Sequence, residues 1–287
     1  MKKIFLFVLT LTLMNCSEDD SNVNEDPEQE VSLNISKLTQ TNNGGTFIRY
    51  YNEDGTVIRD LRMNEGENEN EKPYSVYTYD TQQNLQSIKF FSANDEFIRD
   101  HRVYEYSNNQ LTKIIDYGDG THDPYHTNFS YGDNRVDFEE IETGKSGYLK
   151  FNNQGKIIET NHQSGPDFFT KNFIEYDNDQ VVEISKSDGT LYSFQTDNTQ
   201  NPLFQFFIDK PIQYMLTEHY TYDLDFTFGT SYSVNNVLEI SESVNNTHLG
   251  TETTIFEYNN QNLPVNSVTT RVNGSIIERT FEYHIAE

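Results

Sequence analysis

The segment DYGDGTHDPYH, residues 116–126, concentrates side chains of the types that ligate metal ions. Asp116, Asp119, His122 and Asp123 supply three carboxylates and one imidazole, which are ligand types of calcium and zinc sites. Their spacing is not that of an EF-hand, which needs ligands at alternate positions and a closing Glu. The segment therefore offers a candidate calcium or zinc site without a recognised binding motif.

The same residue types are also typical of an exposed turn. Pro124 stands between His122 and His126 and disfavours a regular helix that would present both rings. Asp, Gly and Pro are the residues that tight loops use most. The turn is the favoured interpretation, and the sequence predicts no cofactor.

Signatures of other enzyme classes are missing from the sequence. It contains no Gly-rich phosphate loop and no nucleophile elbow. Adjacent acids such as Glu139 and Glu140 could serve a glycosidase, but a chain with 46 acidic residues contains such pairs by chance. The single cysteine, Cys16, is the predicted site of acylation and so is not a catalytic thiol. The protein is therefore predicted to be non-enzymatic.

The residues before Cys16 predict a lipid anchor. A charged start, MKK, is followed by an apolar run of 11 residues, IFLFVLTLTLM. A membrane-spanning helix needs about 20 residues, whereas a run of this length is typical of a signal peptide. The motif LMNC resembles a lipobox, with Asn15 as a less usual last residue. We predict a lipoprotein signal peptide over 1–15 and acyl chains on Cys16; an ordinary secretory signal with a chance cysteine is the alternative.

The residues after Cys16 are polar and acidic, which predicts a mostly flexible tether over 16–44. Its start, CSEDD, resembles the acidic surface-export signal of lipoproteins in some Gram-negative bacteria. That resemblance implies export through Ser17, Glu18, Asp19 and Asp20 to the outer membrane, facing outwards; a generic acidic spacer is the alternative. The formal net charge of −26 repels phosphate backbones, so nucleic acid is not a predicted partner.

One phrase recurs along the rest of the chain. It consists of aromatic-x-aromatic, then Asp or Asn with other turn formers, then an aliphatic residue. In YTYDTQQNLQSI, Tyr77 and Tyr79 share one face of a strand and Leu85 opens the next strand, so the unit is a β-hairpin. Most spacings lie near about 25 residues, the mark of a repeat architecture. The second aromatic of each copy is Tyr51, Tyr79, Tyr106, Tyr131, Phe151, Tyr176, Tyr222, Tyr258 and Tyr283.

The repeat predicts an all-β fold over 45–287. Hairpins placed side by side make an antiparallel meander, a single curled sheet that is either open or barrel-like. Aromatic residues would form cross-strand ladders on one face, and polar residues would cover the other. The stretch NPLFQFFIDKPIQYM, residues 201–215, breaks the pattern. Asn201 before Pro202 resembles a helix start, so a short helix or compact loop is predicted there.

The phrases YTYDTQQNLQSI and FIEYDNDQVVEI resemble the tyrosine–aspartate repeats of Rhs-type proteins, with the turn glycine often replaced by Asn or Gln. The chain is more similar to a group of small lipoproteins of Gram-negative bacteria that carry such repeats behind a lipobox. The resemblance rests on the order of three segments, TQNPLFQFF, SVNNVLEI and LPVNSVTTRVNGSIIERTFEYH, and covers roughly residues 45–287. It implies a repeat β domain and no particular activity.

Together these features predict a surface-anchored lipoprotein of the outer membrane that binds or scaffolds an extracellular glycan or protein. The acyl chains on Cys16 would make the membrane a partner, while the sequence specifies neither ligand nor oligomeric state. One alternative is a glycan-binding accessory of a polysaccharide-uptake system. Another is a hydrolase with its site in the concave face of the sheet, which would need clustered, oriented polar groups.

Overall fold

The computed structural model describes residues 31–165, 168–204 and 226–285. Over these ranges the chain forms eighteen strands, one 3₁₀ turn at Glu69–Glu71 and one short helix, α1, at Phe226–Tyr232. The strands are β1 Val31–Asn42, β2 Gly45–Tyr51, β3 Val57–Met63, β4 Tyr74–Tyr79, β5 Leu85–Phe91, β6 Phe97–Ser107, β7 Gln110–Asp116, β8 Tyr125–Gly132, β9 Arg135–Glu140, β10 Ser146–Phe151, β11 Ile157–Gly165, β12 Phe168–Asp177, β13 Gln180–Lys186, β14 Thr190–Gln200, β15 Asn235–Val244, β16 Thr247–Tyr258, β17 Pro264–Thr270 and β18 Ile276–Ile285.

The eighteen strands close into one antiparallel barrel. Each strand pairs with the next along the chain, and β18 pairs with β1. At the seam, Thr39 of β1 stands opposite both Ile48 of β2 and Thr280 of β18. The predicted all-β meander is thus confirmed, in its closed form. Closure removes the two exposed edges that an open sheet would present to other chains.

The barrel begins earlier in the chain than the sequence predicted. Strand β1 lies within 16–44, the range assigned to the tether, so the predicted domain boundary at residue 45 is wrong. The strand escaped detection because its pairing with β18 is irregular between Ile35 and Lys37. Ile35 and Leu38 therefore both face the core although they are three residues apart. Cys16 and the predicted export signal at 17–20 lie outside the described residues.

The register between paired strands explains the residue pattern of the repeat. Six repeat aromatics stand directly opposite the first aliphatic residue of the following strand, as Tyr79 does opposite Leu85. The turn between the two needs at least one residue with positive φ. Gly155 supplies it at 79°, but Gln83 and Asn262 occupy the equivalent place at 59° and 58°. In the Gln83 turn, the Asp80 carboxylate accepts hydrogen bonds from the backbone amides of Gln82 and Asn84, which fixes the conformation of the loop. Tyr222 lies outside the described residues.

The repeat tyrosines also connect neighbouring hairpins. Their rings face the barrel interior. Their hydroxyls donate to a backbone carbonyl oxygen at the start of the second strand of the preceding hairpin, from the first or second residue of that strand. The contact is thus repeated from one hairpin to another, at one end of the barrel. We call this set the tyrosine ladder: Tyr79 to Val57 at 3.0 Å, Tyr106 to Leu85 at 3.0 Å, Tyr131 to Leu111 at 2.9 Å, Tyr176 to Ile157 at 2.8 Å and Tyr283 to Pro264 at 2.8 Å.

Apolar side chains fill much of the barrel interior. Three clusters of buried residues lie there, and the largest includes Leu149, Ile184 and Phe194 from the strands and Tyr232 from α1. Helix α1 approaches the wall closely at Gly229, where a Cβ would lie 2.3 Å from the ring of Phe194. The helix therefore packs inside the barrel as part of the core.

The predicted insertion at 201–215 is only partly within the described residues. Asn201 begins a turn: its carbonyl accepts from the amide of Phe204 at 3.1 Å and its side chain from the amide of Leu203 at 3.0 Å. Residues 205–215 lie outside the described ranges, and the helix that is described starts at Phe226. No helix in the described part of the chain has the length and apolar character needed to cross a membrane.

The outward face of the strands carries charges. Arg135 and Asp137, which flank an inward-facing valine, form an exposed ion pair. Glu159 is paired with Lys171 at 2.9 Å and with Lys150 at 3.8 Å across β10, β11 and β12. Exposed apolar side chains such as Ile255 also occur on this face. The apolar clusters are thus inside the barrel, and the outward face carries exposed ion pairs.

Candidate functional site in the barrel interior

A cavity of about 1250 Å³ lies inside the barrel, along β1–β6 and β15–β18. Its described lining reaches the β1–β2 turn at Gly44 and, at the opposite end of the same strands, the β2–β3 turn at Gly55. The cavity therefore follows the barrel wall along most of its height. Ligand sites usually occupy about 300–1,000 Å³, so this space is large enough for an organic ligand.

An arginine and a carboxylate face each other on the cavity wall. Arg49 on β2 stands opposite Asp60 on β3, and its Nη2 lies 2.9 Å from the Asp60 Oδ2. The hydroxyl of Tyr77 on β4 donates to the same oxygen at 2.6 Å. The carboxylate is thus held by two donors, an arrangement that suits a fixed polar anchor better than a general base.

A second arginine lies deeper in the barrel. Arg279 on β18 donates from Nε to the Gln40 side chain at 2.9 Å and from Nη1 to the Thr269 hydroxyl at 3.1 Å. Burial and the neighbouring Arg271 lower the pKa of Arg279 to about 10, an effect that Glu252 opposes. Arg279 is one of the residues that line the cavity.

The candidate metal residues are not brought together. Asp116 is buried in an ion pair with Arg102 at 2.9 Å. The Asp119 carboxylate accepts from the hydroxyl and amide of Thr121, and these bonds lower its pKa. His122 and Asp123 are exposed. In the described ranges no group of three or more His, Cys, Asp or Glu could hold a metal ion. The segment is built as a turn, in which Asp116 pairs across strands.

Aromatic rings lie among the charged groups of the cavity. Phe47 carries the guanidinium of Arg49 at 5.1 Å and that of Arg62 at 5.8 Å from its ring centre. Phe256 and Tyr51 line the same space. The wall thus combines ring faces with hydrogen-bonding groups, a combination that suits an organic ligand with polar substituents.

The cavity arginines were missed by sequence reasoning, although a signal for them exists. Arg49, Arg102 and Arg279 each stand two residues before an inward aromatic, at Tyr51, Tyr104 and Phe281. Because side chains two apart share a strand face, this spacing places the arginines inside the barrel. The predicted alternation of inward and outward side chains would have placed these arginines inside the barrel if it had been applied to charged residues as well as to aromatic ones.

Tyr258 is a repeat tyrosine that does not belong to the ladder. The hydroxyl of Tyr258 donates to the carboxylate of Asp197 instead of to a backbone carbonyl. Burial, followed by this bond, raises the pKa of Tyr258. Thr199 and Asn236 complete the network, with Asn236 Nδ2 3.1 Å from the Thr199 hydroxyl. These contacts tie β14, β15 and β16 together, which is a structural role.

The sequence comparisons and the structure comparison gave different results. No known protein family and no curated protein matches the sequence. A solved structure described as a porin-like protein from Bacteroides uniformis ATCC 8492 aligns with 87% of this chain and 98% of its own length. The identity is 11% and the TM-score is 0.46. The site is therefore characterised by its own geometry alone.

Proposed function

We propose that the protein is a non-enzymatic binding protein that takes its ligand into the barrel cavity. The observation that carries this proposal is the cavity itself, about 1250 Å³ in volume and lined by both aromatic and ionic side chains. The best-placed carboxylate, Asp60, is already bonded to Arg49 and Tyr77, which favours binding over hydrolysis.

The charged outer face supports a barrel surrounded by water rather than by lipid. A Lys or Arg on the lipid side of a membrane barrel costs about 2–4 kcal/mol at the bilayer midplane. Arg135, Lys150 and Lys171 all lie on outward strand positions with acidic partners. We therefore propose that the membrane is reached through acyl chains on Cys16, with the barrel held outside the outer membrane.

The absence of tryptophan from the chain allows a direct test of ligand entry. Phe256→Trp places a single tryptophan on the cavity wall, and Phe97→Trp places one on the outer face, where Phe97 is 55% exposed. Both variants of the full-length chain, purified in detergent, would be titrated with compounds identified on glycan and protein arrays. We expect ligand to change the emission of the first variant and not of the second. Equal responses, or none from any compound, would overturn binding in the cavity.

The anchor is tested by fractionation and protease access. Cys16→Ala should release the protein from membranes, because acylation needs the thiol. Replacing Glu18, Asp19 and Asp20 with Ala should keep the protein anchored but shield it from protease added to intact cells. Persistent membrane attachment of the first variant would disprove the lipid anchor. Unchanged protease sensitivity of the second would disprove the export signal.

A glycan-binding accessory of a polysaccharide-uptake system is the second candidate function. The observation in its favour is the placement of the Phe47, Tyr51 and Phe256 rings beside hydrogen-bonding groups. Sugar rings stack on aromatic faces while their hydroxyls bond to polar neighbours. The array distinguishes this candidate: glycans should dominate the compounds that act on the cavity tryptophan, and protein ligands alone would exclude it.

A further inference from the structure

Arginine is distributed unevenly over this acidic protein. The formal net charge is −26, yet five of the eight arginines of the sequence line the cavity. Together with Lys72 they face four carboxylates among the described lining residues, a formal net charge of +2. The cavity is thus a cationic interior within an anionic protein. Its arginines are Arg49, Arg62, Arg102, Arg271 and Arg279.

The cavity arginines differ in how their charge is balanced. Arg49 and Arg102 each lie 2.9 Å from a carboxylate, Asp60 and Asp116 respectively. The hydrogen bonds of Arg279 within the described part of the chain go instead to neutral oxygens, those of Gln40 and Thr269. A cation withdrawn from water is costly unless an anion accompanies it. An incoming anion therefore gains more at Arg279, on which only the charge of Glu252 is seen to act favourably, than at Arg49 or Arg102.

A second group at the same place has donor capacity. Ser267 on β17 stands directly opposite Arg279 on β18, and Gln40 on β1 flanks it on the other side. The Ser267 hydroxyl is buried, and none of the described residues hydrogen-bonds to it. It also lines the cavity. A guanidinium and a hydroxyl side by side match the acceptor oxygens of a carboxylate, sulfate or phosphate.

We infer that the cavity binds an anionic ligand through its carboxylate, sulfate or phosphate oxygens, anchored by Arg279 and Ser267. This inference rests on the proposed binding role and specifies its ligand class. Arg62 and Arg271 are further cationic residues of the cavity wall. Phe47 and Phe256 provide ring faces for the uncharged part of the ligand, so an organic anion fits the space better than an inorganic ion.

Calorimetric titration of the full-length chain in detergent tests the ligand class. The probes are digalacturonate, citrate, inorganic sulfate and inorganic phosphate at constant ionic strength, and the matched neutral probe is the dimethyl ester of digalacturonate. We expect at least one anionic probe to bind, and the ester to bind at least about tenfold more weakly than its acid, as loss of charged hydrogen bonds requires. The probe that binds best identifies the oxyanion.

Two outcomes separate this inference from the proposed function. If neutral compounds change the emission of the cavity tryptophan while no anionic probe binds, the anion assignment is wrong and cavity binding stands. If neither kind of compound acts on the cavity, both proposals fail. Equal affinity of digalacturonate and its ester would also overturn the anion assignment.

Variants then locate the anchor. Arg279→Gln should weaken the best anionic probe about tenfold or more, because it removes the charge and keeps a hydrogen-bonding side chain. Ser267→Ala, a smaller change, should weaken it several-fold without moving the melting temperature, and it serves if Arg279→Gln fails to fold. Arg135→Gln, on the outer face, is the matched control and should leave affinity unchanged. Wild-type affinity in Ser267→Ala would disprove the assignment of Ser267 and Arg279 as the anchor. A loss of affinity in Arg135→Gln equal to that in Arg279→Gln would disprove it too.

Discussion

At the scale of single residues, the repeat tyrosines act through their hydroxyls as well as their rings. Each ladder hydroxyl satisfies a carbonyl of the preceding hairpin at 2.8–3.0 Å. Phenylalanine would fill the same volume but would leave that carbonyl without its donor. Position 151 carries Phe, which has no hydroxyl and so cannot donate this hydrogen bond. The hydroxyl thus explains why tyrosine recurs at most of these positions.

The ladder bond of Tyr106 has a measurable effect on stability. We expect Tyr106→Phe to lower the free energy of unfolding by about 1 kcal/mol, since the Leu85 carbonyl loses its partner while the ring volume is kept. The measurement is urea unfolding followed by circular dichroism. Tyr125→Phe is the control, because Tyr125 is 38% exposed and should tolerate the change within about 0.5 kcal/mol. Equal losses in the two variants would contradict the role of the ladder bond.

Sequence reasoning placed side chains on strand faces but did not find their partners. It put Tyr77 and Tyr79 on one face because they are two apart, and both line the cavity. It grouped Asp116 with its neighbours in the loop, whereas register pairs Asp116 with Arg102. The alternation of side chains between the two faces of a strand follows from the local sequence. The partner of a side chain on another strand depends on the register between the two strands, which β-bulges shift.

At the scale of elements, the turns depend on single residues with positive φ. Gly155 has φ 79°, and a Cβ there would meet nothing within 4 Å. A Cβ at Gly132 would also meet nothing within 4 Å, but the φ of Gly132 is not in the positive range. Gly155→Ala should therefore cost about 1 kcal/mol of stability from backbone strain alone. Gly132→Ala should be neutral or stabilise by up to about 1 kcal/mol. Urea unfolding of both variants gives the comparison, and similar costs would show that φ is not the cause.

Strand β1 is the element that closes the barrel. It pairs with β18 on one side and β2 on the other, and it places Ile35 and Leu38 in the core. We expect a chain that starts at residue 31 to unfold cooperatively on heating, and a chain that starts at residue 45 to lose that transition. The measurement is circular dichroism with temperature. A cooperative transition in the shorter chain would show that the barrel tolerates an open seam.

At the scale of the whole molecule, the hairpin meander was predictable and its closure was not. The repeat period and the turn residues specify neighbouring pairs, since each hairpin is local. Closure needs β1 and β18 to meet from opposite ends of the chain. The β1 sequence lacks the repeat phrase, and the irregularity in its pairing interrupts the alternation of inward and outward side chains. The cavity was unpredictable for the same reason, because its wall combines β1–β6 with β15–β18.

The ladder and the overall charge together predict the response of the protein to alkali. Burial is the first cause of the raised pKa of the ladder tyrosines Tyr106, Tyr131, Tyr176 and Tyr283. An unfolded tyrosine ionises near pH 10, so the neutral phenols contribute their full stability below about pH 10. That stability is lost as the pH rises towards the folded values. Lysine deprotonation adds to the repulsion already present at a net charge of −26.

We therefore expect the urea midpoint to fall steeply above about pH 10, with the last tyrosinate absorbance appearing only as the barrel unfolds. Tyr106→Phe should make this fall shallower, because one phenol with a raised pKa has been removed. Tyr125→Phe should leave the slope unchanged, since that exposed ring is outside the ladder. A folded protein in which all 19 tyrosines ionise before the circular dichroism changes would contradict the burial of the ladder phenols.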